Sequence, residues 1–309
     1  MKWRARGDLN PGSPAPEERT YGSPDSLCSD GIHCREYEDV IKDFHDFLVV
    51  EMRLEERTAQ GHCWNLKQFL NAIGKEINEI TRLDVRNFFI QKLQVNSQAT
   101  INNYLKTLKR FFRDYLKKAD IIESFKFKQP EFKEKRIPSK AELKQFYEAL
   151  PNIEHKAVFL LYASSGLRAR EVLSLTKQDI DLEHRRLYSA KHSTRTKKVG
   201  IGFFNEEALK LLKQLLKGKH WKEDERVFPI LRTLDKIWAK TSEKCGVKIT
   251  PKILREWFCS EMGRLGVPDR YIDAFCGRVP KSVLAKHYTD YNPETLKEIY
   301  DKANLKVLS

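Results

Sequence analysis

Apolar residues from Tyr37 to Leu116 recur at the three-to-four spacing of amphipathic helices. Phe44, Phe47 and Leu48 form one stripe. Trp64, Leu66, Phe69, Leu70 and Ile73 form a second, which Gly74 closes. Thr81 and Asp84 have the spacing of a capping box and open a helix bearing Val85, Phe88, Phe89 and Leu93. Ser97 to Leu116 predicts one long helix with Ile101, Tyr104, Leu105, Leu108, Phe111 and Phe112 turned inward. Helical periodicity resumes at Ser139, which forms a capping box with Glu142. His155 to Ala163 is apolar on every side, the mark of a buried helix. Ser164-Ser165-Gly166 stops it, and a new helix is predicted from Leu167. Residues 185–203 read as a hairpin: a strand to Lys191, a polar turn through Arg195, and a strand from Lys198 to Phe203. Asn205 caps a Leu-rich helix that ends at Gly218, and Thr250 with Pro251 opens another that ends at Gly266. A short helix follows from Asp269 to Gly277, and Asn292-Pro293 opens the last, with Leu296, Ile299 and Tyr300 on one face. The fold class predicted is mainly α with a small antiparallel sheet.

Two stretches interrupt the periodicity. Residues 1–35 concentrate the early Pro, Gly and Ser and are expected to be a disordered tail. Residues 126–140 hold six basic and two acidic side chains with two prolines, which reads as a basic linker over 126–138. The division is then a tail (1–35), a helical domain (36–125), the linker, and a second domain (139–309). A length of 309 residues suffices for two separate cores.

Charge sharpens the picture. The chain carries a formal net charge of +14, which favours a polyanionic partner. The outer face of the Ser97–Leu116 helix bears Lys106, Lys109, Arg110 and Arg113. The linker adds Lys133, Lys135 and Arg136, and the hairpin adds Arg195, Lys197 and Lys198. These clusters read either as solvated faces or as a grip on a DNA backbone. No apolar run reaches the roughly 18 residues of a membrane span, and the first residues lack the apolar core of a signal peptide. The six cysteines form no CxxC or zinc-finger spacing and read as reduced and structural, in a cytoplasmic protein. His33-Cys34 near Cys28 lacks further ligands, so no metal is expected.

The candidate chemistry lies in the second domain. Lys252 and Arg255 share one face of an N-capped helix, Arg278 follows Gly277, and Tyr288 comes ten residues later. Cations converging on a tyrosine suit chemistry at a phosphate. Arg168, expected in a first helical turn, opposes the helix dipole and calls for an anion, either Glu171 or a ligand phosphate.

Four pieces in order now resemble the catalytic domain of tyrosine recombinases, the lambda-integrase superfamily: SSGLRAREVL, the basic hairpin, KILR, and FCGR followed by LAKHYTDY. The helical region before them is similar to that family's core-binding domain, so the resemblance covers roughly residues 37–300. It implies a helical core-binding domain joined to an α+β catalytic domain. Arg168 and Arg255 match the two catalytic arginines, Lys191 or Lys197 the hairpin lysine, and Tyr288 the nucleophile, with Tyr291 as its rival. Lys252 stands where the family usually has His. Cys276-Gly277-Arg278 stands for Leu-Gly-His, so Arg278 replaces another imidazole. Archaeal virus and plasmid integrases of the fusellovirus type resemble this variant site. In the tail, Arg6 to Pro11 can be encoded by DNA whose reverse complement, GGGTTCAAATCC, is similar to the T-arm of a transfer-RNA gene.

The resemblance implies an integrase that cuts and rejoins DNA through a 3′-phosphotyrosine to integrate or excise a mobile element at a transfer-RNA gene, as a homo-tetramer on two duplexes and a monomer or weak oligomer when free, associated with the nucleoid of the host of a virus or plasmid. Partners are double-stranded attachment sites; no membrane, metal or nucleotide cofactor is implied. Alternatives are a Xer-like dimer-resolving recombinase, a topoisomerase of the same chemistry, and a degenerate DNA-binding relative.

Overall fold

The computed structural model describes residues 31–131, 134–189, 201–217, 220–229, 231–278, 282–283 and 287–309, with backbone only over 31–36. The chain divides into two compact units, 1–134 and 135–309.

In the first unit, α1 (Gly31–Val50), α2 (Glu56–Ile73), α3 (Arg82–Val95) and α4 (Gln98–Leu108) enclose an aromatic core. Helix α1 opens at Gly31, inside the stretch expected to be tail. Phe69 meets Phe88 edge-on at 5.0 Å, and Phe44 meets Phe111 at 5.3 Å, geometries that oppose ring edge to ring face. Gly74, at φ 63°, ends α2, and the Thr81–Asp84 capping box opens α3. Two predicted inward residues face out. Trp64 is 51% exposed because His62, two residues earlier and on the opposite side of α2, takes the core position. Leu93 is exposed too; Lys92 covers the core there, its ammonium over the Phe88 and Tyr104 rings. The long helix predicted over 97–116 changes type. After Leu108 it continues as a π-helix, Lys109–Tyr115, and Leu116 N–H reaches back five residues to Phe111 O at 2.9 Å.

The second unit is built around α6 (Ile153–Ser165), which is buried over most of its length. Around it pack α5 (Lys140–Ala149), α7 (Ala169–Leu173), α8 (Glu206–Lys217), α9 (Leu231–Cys245) and α10 (Pro251–Arg264). The Ser139–Glu142 capping box forms at the start of α5. Strands β1 (Ile180–Asp181), β2 (Arg186–Tyr188) and β3 (Ile201–Phe203) make one antiparallel sheet in the order β1-β2-β3, with Leu187 opposite Gly202. The strand β1 had no sequence signal. Short helix α11 (Asp269–Phe275) follows α10, and α12 (Pro293–Ala303) sends Leu296 and Tyr300 into its own unit's core. Tyr300 donates to Ser164 O at 2.7 Å. No helix among the described residues is long and apolar enough to cross a membrane.

Candidate active site

The site is assembled where three helix ends meet. Gly166 caps α6 at φ 64°, and a Cβ there would lie 2.4 Å from Phe258 Cδ1, so only glycine fits. Cys276 caps α11. From α10, Arg255 donates through Nη1 to Gly166 O at 2.6 Å and through Nη2 to Cys276 O at 2.7 Å. Carbonyls at helix C-termini carry partial negative charge, so this guanidinium neutralises two of them at once. Burial, then the neighbouring Arg168 and Arg278, lowers the Arg255 pKa; a guanidinium nevertheless stays charged at any physiological pH.

Arg168 departs from the expected first-turn position. It is the N-cap of α7, with extended backbone, so its own N–H is free for Glu171 Oε2 at 3.0 Å. Its Nη1 reaches Glu171 Oε1 at 3.1 Å. The compensating anion is therefore Glu171, a carboxylate only 4% exposed that fixes both ends of the arginine. The outer part of Arg168 still faces solvent.

Arg278 is exposed and pairs with Asp273 Oδ1 at 2.8 Å, while its Nη2 lies 3.5 Å from Cys259 Sγ. Cys259 Sγ is in turn 3.4 Å from Cys276 Sγ. This thiol pair went unrecognised in the sequence: 17 residues separate the two cysteines, and only the helix packing brings them together. Lys252 is exposed on the first turn of α10, with no hydrogen bond or ion pair among the described residues.

The predicted nucleophile lies outside this network. Tyr288 is 77% exposed, in the bend before α12. Tyr291, its rival, packs against the core. Lys191, Arg195, Lys197 and Lys198 lie outside the described residues, as does Lys133.

The basic face is more heavily partnered than its sequence suggests. Lys106 and Arg113 are exposed, and Arg113 binds Asp114 at 2.7 Å. Lys109 lies over the Phe127 ring. The π-turn brings Arg110 back against His62 Nε2, whose Nδ1 bonds Thr107 Oγ1 at 2.7 Å. In the second unit Lys135 pairs with Glu256 at 2.6 Å and Arg136 with Glu142.

Residues 137–295 match the Phage integrase family, and residues 40–120 match its N-terminal SAM-like domain. Among individual proteins, the chain is 26% identical over 232 residues to tyrosine recombinase XerA of Saccharolobus solfataricus, covering 75% of this chain and 73% of that one. It is 25% identical over 288 residues to tyrosine recombinase XerC of Thermodesulfovibrio yellowstonii, covering 85% and 95%. The fold is similar to a lambda integrase dimer bound to a core site, with TM-score 0.63 and 12% identity over 79% of this chain and 95% of that one. It is also similar to a lambda integrase tetramer bound to a Holliday junction, with TM-score 0.61 and 12% identity over 90% and 83%.

Proposed function

The chain belongs to the phage integrase family and is a tyrosine-type site-specific recombinase, and from that premise we propose that it integrates and excises a mobile element through a 3′-phosphotyrosine intermediate. The observation that carries the reading is the Arg255 grip on Gly166 O and Cys276 O. It holds Arg255 within electrostatic reach of Arg168 and Arg278, a cationic cluster within the segment that matches the family.

In this mechanism the Tyr288 oxygen attacks the scissile phosphorus in line, the O5′ bond breaks, and the 3′-phosphate stays on the tyrosine. Free tyrosine ionises near pH 10. The neighbouring cations therefore have to stabilise the phenolate and the charge that builds on the non-bridging oxygens. Arg168 and Arg255 supply bidentate donors, each already oriented by a second contact. Lys191, or Lys197 in its place, protonates the leaving 5′-oxygen. Lys252 and Arg278 add donors where the wider superfamily carries imidazoles. The phosphotyrosine keeps the bond energy, and attack by the 5′-hydroxyl of a partner strand completes the exchange.

A tetramer on two duplexes fits the reciprocal strand transfer. The basic faces around Lys106, Arg113 and Lys135 provide sequence-independent contact with the backbone. That Arg6 to Pro11 can be encoded by a T-arm-like sequence favours a transfer-RNA gene as target and an integrase of the fusellovirus type. The resemblance to proteins named XerA and XerC favours a second reading, resolution of chromosome dimers by the same chemistry.

The test is a nicked duplex bearing the DNA that encodes residues 1–35, incubated with wild type or Tyr288→Phe. An SDS-resistant protein–DNA band from wild type alone is expected. An adduct from the variant moves the nucleophile to Tyr291 or elsewhere. Adduct formation on a dimer-resolution site, with none on the encoding DNA, favours the second reading. No adduct on either DNA, despite tight binding, points to a non-catalytic DNA-binding protein.

A further inference from the structure

Two thiols lie directly behind the arginine cluster, and the cleavage chemistry uses neither. Cys259 stands one turn after Arg255 on α10, and Cys276 is the residue whose carbonyl Arg255 grips. Their Sγ atoms are 3.4 Å apart. We propose that Cys259 and Cys276 form a peroxide-reactive dithiol whose closure to a disulfide disarms the cationic pocket.

The two sulfurs have different roles. Cys259 is partly open to solvent and faces the Arg278 guanidinium at 3.5 Å, with Arg255 close by. Cys276 is fully buried. The hydrogen bond from Cys276, then the positive charge of Arg278 and Arg255, pulls the Cys259 pKa down, while its partner's is pushed up. Cys259 is thus the attacking thiolate and Cys276 the resolving thiol. Cys63 is the internal contrast. It is partly buried, donates to Ile41 O, and its pKa is raised to about 12 by burial and by Glu56 and Asp46.

The chemistry balances with a hydroperoxide as oxidant. The Cys259 thiolate attacks one peroxide oxygen, the O–O bond breaks, and a proton taken up releases water from hydrogen peroxide, leaving a sulfenic acid. Cys276 sulfur then attacks the Cys259 sulfur and the second oxygen leaves as water. Two thiols are oxidised by two electrons, and the peroxide is reduced to two waters.

Closure has a mechanical consequence. A disulfide is about 2.05 Å long, so the sulfurs must approach by about 1.3 Å from their present separation. That movement pulls on the turn of α10 below Arg255 and on the segment carrying both Cys276 O and Arg278. It also removes the sulfur anion facing Arg278. Misplacing catalytic groups by about 1 Å costs rate on the order of a hundredfold.

The effect on cleavage rests on the recombinase reading, whereas the thiol chemistry does not. Full-length protein is treated with hydrogen peroxide, alkylated, digested and mapped by mass spectrometry, and in parallel assayed for adduct with the nicked duplex. Expected are a Cys259–Cys276 cross-linked peptide about 2 Da lighter than its two thiol halves, Cys63 left alkylatable, and adduct yield at least about tenfold lower, restored by dithiothreitol. Cys259→Ser and Cys276→Ser should each keep the same adduct yield with and without peroxide, whatever that yield is. Absence of the cross-link overturns the proposal, and so does a cross-link that leaves adduct yield unchanged. If the reduced protein makes no adduct at all, the cleavage reading fails, and the dithiol stands or falls on the cross-link and on a peroxide-dependent drop in duplex affinity.

Discussion

Acidification should strike the first unit at one side chain, His62. Its Nε2 accepts from the Arg110 guanidinium, so Nδ1 carries the proton and donates to Thr107 Oγ1, which donates onward to Asn103 O. A proton on Nε2 would break this chain and set two cations face to face. Burial, then Arg110 and Lys106, lowers the His62 pKa from 6.5 to about 4. In that window the unfolded chain binds a proton that the folded unit refuses, so stability rises with pH and falls on acidification, with no further loss below about 4. The gap, at about 1.36 kcal/mol per pH unit, caps the loss at about 3 kcal/mol. Because Lys106 and Arg110 stand at the solvent edge, screening trims the expected loss to about 2 kcal/mol. Urea unfolding of the full chain, read by hydrogen exchange in peptides from α2 and α4, isolates this unit. Wild type minus His62→Gln should be constant above about pH 7 and slope downward from there to about pH 4. A flat difference across that range would refute both the neutral tautomer and its role in holding Arg110.

Two substitutions test the candidate active site from different sides. Arg255→Lys keeps the charge but reaches only one of the two carbonyls, so single-turnover cleavage should fall by about 10²–10³-fold with duplex affinity changed far less. An equal loss in binding and cleavage would instead make Arg255 a plain affinity contact. Gly166→Ala forces a Cβ to within 2.4 Å of Phe258 at φ 64°, which should lower the second unit's stability by about 2–3 kcal/mol in thermal melts. An unchanged melting temperature would show that Phe258 can move aside.

Much of this fold was legible because helix punctuation is local. Thr81, Ser139, Thr250 and Asn292 all accept the cap hydrogen bonds that their positions suggest, and Gly74, Gly166 and Gly277 adopt positive φ at helix ends. Burial on all sides of α6 followed from its composition. What stayed hidden depends on other elements. Nothing local distinguishes the π-turn at Lys109 from an ordinary helix, and hydrophobicity alone favoured Trp64 over His62 for the core. In the candidate active site, Arg168 and Arg255 are told by residue type, and Glu171 by its place three residues after Arg168. Main-chain oxygens orient Arg255, and a thiol pair lies beside Arg278; both come from packing between segments far apart in the chain and leave no local pattern to read.

That Arg255 is held by carbonyl oxygens bears on how such a protein can diverge. Every residue type offers the same carbonyl, so replacements at position 276 leave the acceptor in place as long as the turn keeps its path. At position 166 the backbone itself is at stake, because any side chain collides with Phe258. A lineage could therefore rewrite most of the surroundings of this arginine and still inherit its orientation. The heritable part of the pocket is the course of the chain, fixed at a single glycine.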